Sequence, residues 1–297
     1  MIRKHRTLFI ACLSLLLLSV KALFPNNCRA AEVLIIGDIT LKPVVDVVAG
    51  IRETLPSAFT VISPSDETGR LAEIVAREGA RTVIALGNDA IKDALQLPAN
   101  IAVIYDLVVL PPKYDRPNTT GMYMGTPVVT YLNFITKHLP SLKKISVISS
   151  PQTMEILGGI GFSQVASHQV TNSFDFINTV KQLNSGDALL LLPDLGLLTA
   201  TAVEETYLFS FRAKIPILGL SEKHVRQGAL FALVFDPVSV GRMLGERAAQ
   251  SLAGADIGQI PPAPSTHFDL YVNRETARKM GITIPDAMFK MAKAVFP

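Results

Sequence analysis

Lys214 to Arg242 reads KIPILGLSEKHVRQGALFALVFDPVSVGR, and the spacing of its apolar runs and turns decides the fold class. The run Ile215–Leu220, interrupted by Pro216 and Gly219, has the length and composition of a buried strand. Ser221-Glu222-Lys223 is a polar turn, followed by a short amphipathic piece ending at Gly228. A second apolar run, Ala229–Phe235, stops at Asp236-Pro237, and helical periodicity starts near Val238. Strand, turn, helix, strand, helix is the unit of an open α/β sheet. Such sheets place small molecules at the carboxyl ends of their strands. Ser221, Glu222 and Asp236 follow strands directly and are the first residues to consider.

IPILGLSEKHVRQGAL is followed by GRMLGERAAQSLAG and then FDLYVNRETARKMGITIP. In that order and spacing, the three segments resemble the C-terminal half of the ABC-transporter substrate-binding protein family. The resemblance runs from about Asp187 to Pro285. It implies a type I periplasmic-binding fold, two doubly wound parallel-sheet lobes joined by a hinge, with a small solute held between them. It also implies an ABC-type membrane permease as partner and suggests amino acids as ligands. None of the three segments carries a catalytic motif.

The first thirty residues read as a leader. Arg3, Lys4, His5 and Arg6 make a basic start, and Leu8–Val20 is an apolar run of signal-peptide length. Cys28-Arg29-Ala30 puts small residues where a signal peptidase reads, so cleavage is expected after Ala30 and the protein is expected to be periplasmic or otherwise exported. Cys12 and Cys28 fit a lipid anchor poorly. Removing 1–30 leaves 23 basic against 25 acidic side chains, a net charge of −2 in place of +3. The basic balance thus belongs to the leader, and there is no case for a nucleic-acid partner. Both cysteines leave with it, which removes thiol and disulfide chemistry.

After the leader, short apolar runs alternate with helical patterns. Strands are expected at Val33–Ile36, Phe59–Ile62, Thr82–Leu86 and Ile101–Tyr105, and helices near 44–55, 65–78 and 90–95. Leu107–Asn118 is Pro-rich and reads as a surface connection. A second sheet is expected from Ile145–Ser149, Gln164–Val170, Ala188–Leu192, Ile215–Leu220 and Leu230–Phe235. Residues 31–121 with 236–262 make lobe one, and 122–235 with 263–297 make lobe two. The crossover Ser150–Phe162 is near the minimum length for a parallel connection and reads as a single helical turn capped by Gly158-Gly159.

Catalytic and cofactor signatures are weak. Gly159-Ile160-Gly161 lacks the third glycine and the flanking elements of a dinucleotide loop. There is no Gly-x-Ser-x-Gly elbow and no phosphate-binding Gly-Lys-Ser/Thr loop. His138, His168, His224 and His267 are scattered without metal-ligand spacing. No cofactor or metal is implied. What remains is a set of polar residues at strand ends: Asp38, Asn88, Tyr105 and Asp106 in lobe one, and Ser149, Ser150, Asp194 and Ser221 in lobe two. Tyr123 and Asp236 lie near the crossings. Each position serves equally for helix capping and for ligand contact.

The reading is an exported solute-binding protein that captures a small molecule between two lobes, with Asp38, Asn88, Tyr105, Tyr123, Ser150, Asp194, Ser221 and Asp236 as ligand contacts. A ligand-sensing partner of a membrane receptor or kinase is the alternative within binding proteins. An enzyme on the same fold is the alternative of a different class.

Overall fold

Runs of four or five mostly aliphatic residues, each with a turn behind it, form the strands of the first sheet. They are Val33–Ile36 (β1), Phe59–Ile62 (β2), Thr82–Leu86 (β3), Ala102–Asp106 (β4) and Thr119–Tyr123 (β5). The computed structural model describes residues 32–67, 69–158, 161–184 and 188–297. The expected leader with Cys12, Cys28 and the Ala30 cleavage point lies outside the described residues, as do Gly159-Ile160 and Asp187.

The second sheet is built from Ile145–Ser149 (β6), Val165–Gln169 (β7), Ala188–Leu190 (β8), Ile217–Gly219 (β9) and Phe231–Phe235 (β10). Ala263–Pro264 (β11), Phe268–Asn273 (β12) and Ala292–Phe296 (β13) complete the two sheets. The strand orders are β2-β1-β3-β4-β5-β11 and β7-β6-β8-β9-β10-β12-β13. The first sheet is parallel throughout. In the second, β12 runs antiparallel to β10, and β13 runs parallel to β12. β1, β3, β4, β6, β8 and β9 are buried along their whole length, as a sheet covered by helices on both faces requires.

Several local expectations are adjusted. Met122 and Tyr123, expected in lobe two, finish β5 in the first sheet, and Ala263-Pro264 likewise add β11 beside them. The segment 65–78 is two short helices, Pro64–Glu67 and Leu71–Glu78. The short crossover holds a two-turn helix, Pro151–Leu157, with Ser150 as its N-cap and Pro151 in the first turn. The C-terminal helix Asp286–Met291 and β13 had no clear sequence signal.

The Pro-rich stretch is more embedded than its composition suggests. Val108 is buried, and its carbonyl and that of Val109 accept from Met124 N and Gly125 N at 2.8 and 3.0 Å. Arg116 holds the base of the stretch by donating to the carbonyls of Pro98 and Ile101 at 2.7 and 2.6 Å and to Thr119 Oγ1 at 2.8 Å.

Three crossings join the lobes, and strand direction decides where they lie. β5 leaves the first sheet at its carboxyl edge for the helix Val128–His138 over the second. β10 leaves the second sheet at its carboxyl edge for the helix Pro237–Leu252 over the first. β11 ends at the carboxyl edge of the first sheet, and β12, being antiparallel to β10, starts at the carboxyl edge of the second. All three therefore tie carboxyl edge to carboxyl edge, and the space between the lobes is bounded by the loops that follow the strands. One apolar cluster takes in Val103 and Tyr105 of lobe one, Val147 and Phe231 of lobe two, and Val108, Tyr123 and Val128 at the first crossing.

Helix Pro237–Leu252 docks on helix Lys42–Thr54 through glycines. A methyl group at Gly50 would collide with Val238 O, one at Gly241 with Val47 O, and one at Gly245 with the Thr54 hydroxyl. Thr54 Oγ1 donates to Arg242 O at 2.8 Å, and Arg242 Nε donates to Glu53 Oε2 at 2.6 Å. Alanine is the better helix former, so Gly241→Ala tests packing against propensity. Overpacking should win, lowering stability by about 1–3 kcal/mol or more, while exposed Glu246→Ala stays within about 0.5 kcal/mol. The readout is the urea midpoint; a Gly241→Ala midpoint equal to or above wild type would show that the two backbones are not held in contact.

Candidate functional site

In an open parallel sheet the crevice opens where strand order reverses, because the loops on either side of that point leave toward opposite faces. The first sheet reverses between β1 and β3, and the second between β6 and β8. The loops at the first point carry Asp38 and Asn88. Those at the second carry Ser150 and Asp194. Since the crossings join carboxyl edges, these two crevices belong to the same inter-lobe space. Four of the eight candidate residues are thus selected by topology.

In the lobe two crevice the loops after β6 and β8 are tied together. Asp194 Oδ2 accepts from Ser150 N and from Thr153 Oγ1, each at 3.0 Å. Ser150 Oγ in turn accepts from Thr153 N at 3.4 Å and caps the helix. Thr153 is buried, and it is a member of this cluster that strand-end reasoning passed over. Its signal was its place three residues after the cap, where a side chain meets the cap's own. The Asp194 bonds fall on one carboxylate oxygen.

The lobe one crevice is looser. Asp38 Oδ1 accepts from Thr40 N at 2.9 Å and Thr40 Oγ1 at 2.6 Å, and these bonds hold its carboxyl below the usual range. Asn88 is exposed at the first position of helix Asn88–Ala94. Gly87 before it has φ +95°, and a Cβ there would meet nothing within 4 Å, so the turn is fixed by backbone conformation and leaves open space. Gly87 N donates to Asp106 O at 2.9 Å, which ties this turn to the end of β4.

The other four candidates are placed differently. Tyr105 is fully buried, its ring lying where a side chain at Gly121 would be, and it meets Tyr114 edge-on at 5.9 Å. Strand alternation turns it into the core, so it is not presented to a solute. Tyr123 is also buried, in the cluster at the first crossing. Ser221 caps its helix by accepting from His224 N at 3.3 Å. Asp236 caps the returning helix by accepting from Ser239 N at 3.2 Å; burial acts to raise its carboxyl, but hydrogen bonds from Ser239 and Val238 together hold it below the usual range. Among the described residues, no group of three or more His, Cys, Asp or Glu is arranged to hold a metal ion. The His224 ring accepts Leu220 N at its Nδ1 (3.1 Å), so Ser221 and His224 are not paired as nucleophile and base.

Asp106 gains significance from the structure. It is 1% exposed at the end of β4, and among buried side-chain polar atoms of the described residues only its Oδ2 and the Tyr105 hydroxyl lack a partner. Burial pushes its carboxyl up to about 7, partly opposed by a backbone hydrogen bond from Leu107 and by the Arg247 charge. Arg247 itself donates to Gly121 O at 2.8 Å.

A family model described as ABC transporter substrate binding protein matches residues 76–296. No curated protein matches the sequence. A conserved domain protein from Vibrio cholerae is similar at 21% identity and TM-score 0.54, covering 90% of this chain and 99% of its own. A ligand-free, open substrate-binding protein with adhesive properties from Clostridium difficile has 17% identity and TM-score 0.62, with 89% and 99% coverage. An ABC domain in complex with L-Trp from Streptococcus pneumonia has 19% identity and TM-score 0.51, with 89% and 100% coverage. At these identities the likeness is one of fold: two α/β sheets with interleaved helices, as in type I periplasmic binding proteins.

Asp106 yields a pH test with a definite sign. The unfolded chain releases this proton near 3.8, and the folded chain holds it to about pH 7. Stability from this group is therefore complete below about pH 4 and is lost as pH rises toward 7, at about 1.4 kcal/mol per unit. Asp106→Asn should flatten the urea-measured stability profile between those limits and gain most on wild type above pH 7. Parallel profiles would show that Asp106 ionises normally.

Proposed function

The chain belongs to the ABC transporter substrate-binding protein family, and we propose that it is an exported protein that captures a small solute between its lobes and delivers it to an ABC-type permease. The observation that carries this reading is that all three crossings join the carboxyl edges of the sheets, so both switch-point crevices open into one cleft. A solute there meets two bodies, and its binding energy favours the arrangement in which both touch it. The apolar leader at 1–30 supports export. The role is binding rather than catalysis, in keeping with the family and with strand-end side chains engaged as caps.

Amino acids are the ligands to test first, the L-Trp complex on this fold supporting aromatic ones. Asn88 from lobe one and Asp194 from lobe two are the proposed contacts. The Asn88 side chain makes no hydrogen bond within the described residues and is free to serve a solute; Asp194 keeps Oδ1 beyond the Oδ2 that Ser150 and Thr153 share.

A thermal-shift screen of small metabolites finds the ligand, since saturation at 100 times Kd adds about 2.7 kcal/mol. Calorimetry on variants then tests the site. Asn88→Ala should weaken binding roughly ten- to a hundredfold at an unchanged melting temperature. Asp194→Ala should weaken binding similarly and also melt lower, because Ser150 N and Thr153 Oγ1 lose their acceptor. Wild-type affinity in both variants would remove the switch-point crevices as the binding site.

A further inference from the structure

Lobe two contains a second concavity, whose lining includes none of the switch-point residues. It is a cavity of about 400 Å³ between the helix Val128–His138 and the β10–β12 pair. Its floor is Leu233, Phe268 and Leu270, and Phe134 forms a wall. Leu233 and Leu270 are nearly inaccessible, and Phe134 and Phe268 are half-buried, so the floor is apolar and firmly set. Phe134 packs against Phe231 below it at 5.3 Å. Leu233 is fixed on both sides, its N–H donating to Tyr131 Oη at 3.1 Å and its carbonyl accepting from Thr126 Oγ1 at 3.4 Å.

Lys137 and His138, in the last turn of the helix, line the cavity, Lys137 supplies a cation at its rim, and no carboxylate lines it among the described residues. The helix itself, VVTYLNFITKH, has no acidic residue. Helical spacing brings Thr130, Phe134 and Lys137 to one side, giving an apolar wall below a cation. His138 lies against the Phe134 ring at 4.7 Å. Lys137 forms no ion pair among the described residues. An apolar floor, a cationic rim without a counter-charge, and a volume within the range of small-molecule sites select one ligand chemistry.

We propose that this cavity is a binding site for an amphipathic carboxylate, a medium-chain fatty acid or one of similar shape, with its tail against Phe134, Phe268 and Met291 above the buried Leu233 and Leu270, and its carboxylate at Lys137. The proposal is independent of the solute held between the lobes. Thr266, in the third crossing, also lines the cavity, so its occupant lies beside the hinge.

Calorimetry with hexanoate, octanoate and decanoate on the purified protein tests this. Affinity should rise with chain length, by up to about fourfold per methylene buried. Lys137→Glu, an exposed change, should weaken decanoate at least tenfold and leave decanol binding unaltered. Asn88→Ala should bind decanoate as wild type does. No decanoate binding, an affinity indifferent to chain length, or equal loss of decanol and decanoate in Lys137→Glu would overturn the site. Loss of decanoate binding in Asn88→Ala would also overturn it, by making decanoate a ligand of the inter-lobe cleft. Lys137→Glu should bind the inter-lobe solute normally, so either site can fail without the other.

Discussion

The close contact between helices Lys42–Thr54 and Pro237–Leu252 is the constraint on which the two-lobed arrangement rests. A chain that ran through lobe one and then lobe two would need only one connection. Here the chain returns after β10, and it returns to a place where Gly50, Gly241 and Gly245 let two helix backbones touch. The returning helix supplies buried Val240, Leu244 and Ala248 to the core of lobe one, beside Val47 and Ile51. Lobe one is therefore assembled from both ends of the chain, and the crossings on either side of that helix follow from its docking. Burial of this apolar face, with its Arg242–Glu53 pair at the surface, holds the hinge strands in place while leaving the cleft free.

The polar chemistry of the cleft is economical. A helix after a strand needs acceptors for its first N–H groups, and Ser150, Ser221 and Asp236 supply them. The same loops face the opposite lobe. Capping and binding are thus compatible duties. At Ser150 and Asp194 the cap of one loop is held by the acid of the next, which positions both before any solute arrives. Such prior order lowers the entropy that binding must otherwise overcome. Lobe one offers the contrast of an exposed Asn88 beside an open Gly87 turn, and of a buried Asp106 that favours its neutral form.

Much of the fold was legible because strand runs and helix periods are local. Helices Ala200–Ala213 and Arg274–Met280 are bounded by local signals, Thr199 capping the first and Gly281, with φ +71°, ending the second. The alternation of strand and helix gave both sheets, and the ordered C-terminal segments gave the family. What was not legible depends on pairing. Ala263-Pro264, in a Pro-rich run, become a strand only because β5 is beside them. Tyr105 at a strand end looks available until the pleat turns it inward over Gly121, a glycine whose lack of a side chain makes that room. The Leu107–Asn118 stretch has the prolines of a surface loop, yet Val108 is drawn into the core and Arg116 donates to the carbonyls of Pro98 and Ile101 and to the Thr119 hydroxyl. Nor does the sequence show which strand-end residues flank a switch point, because that requires the strand order.

Movement of one lobe against the other is what most directly separates a solute-capturing protein from a rigid domain of the same topology. Ile39 and Leu195 are exposed, at 59% and 88%, on loops after β1 and β8 at the two carboxyl edges. Among the described residues there is no cysteine, so spin labels at Ile39→Cys and Leu195→Cys, with Cys12 and Cys28 changed to serine, report one distance across the cleft. Pulsed dipolar spectroscopy with and without the screened ligand measures it. Closure predicts a shift of the distance distribution to shorter values at saturating ligand. An unchanged distribution at saturation would contradict capture between the lobes.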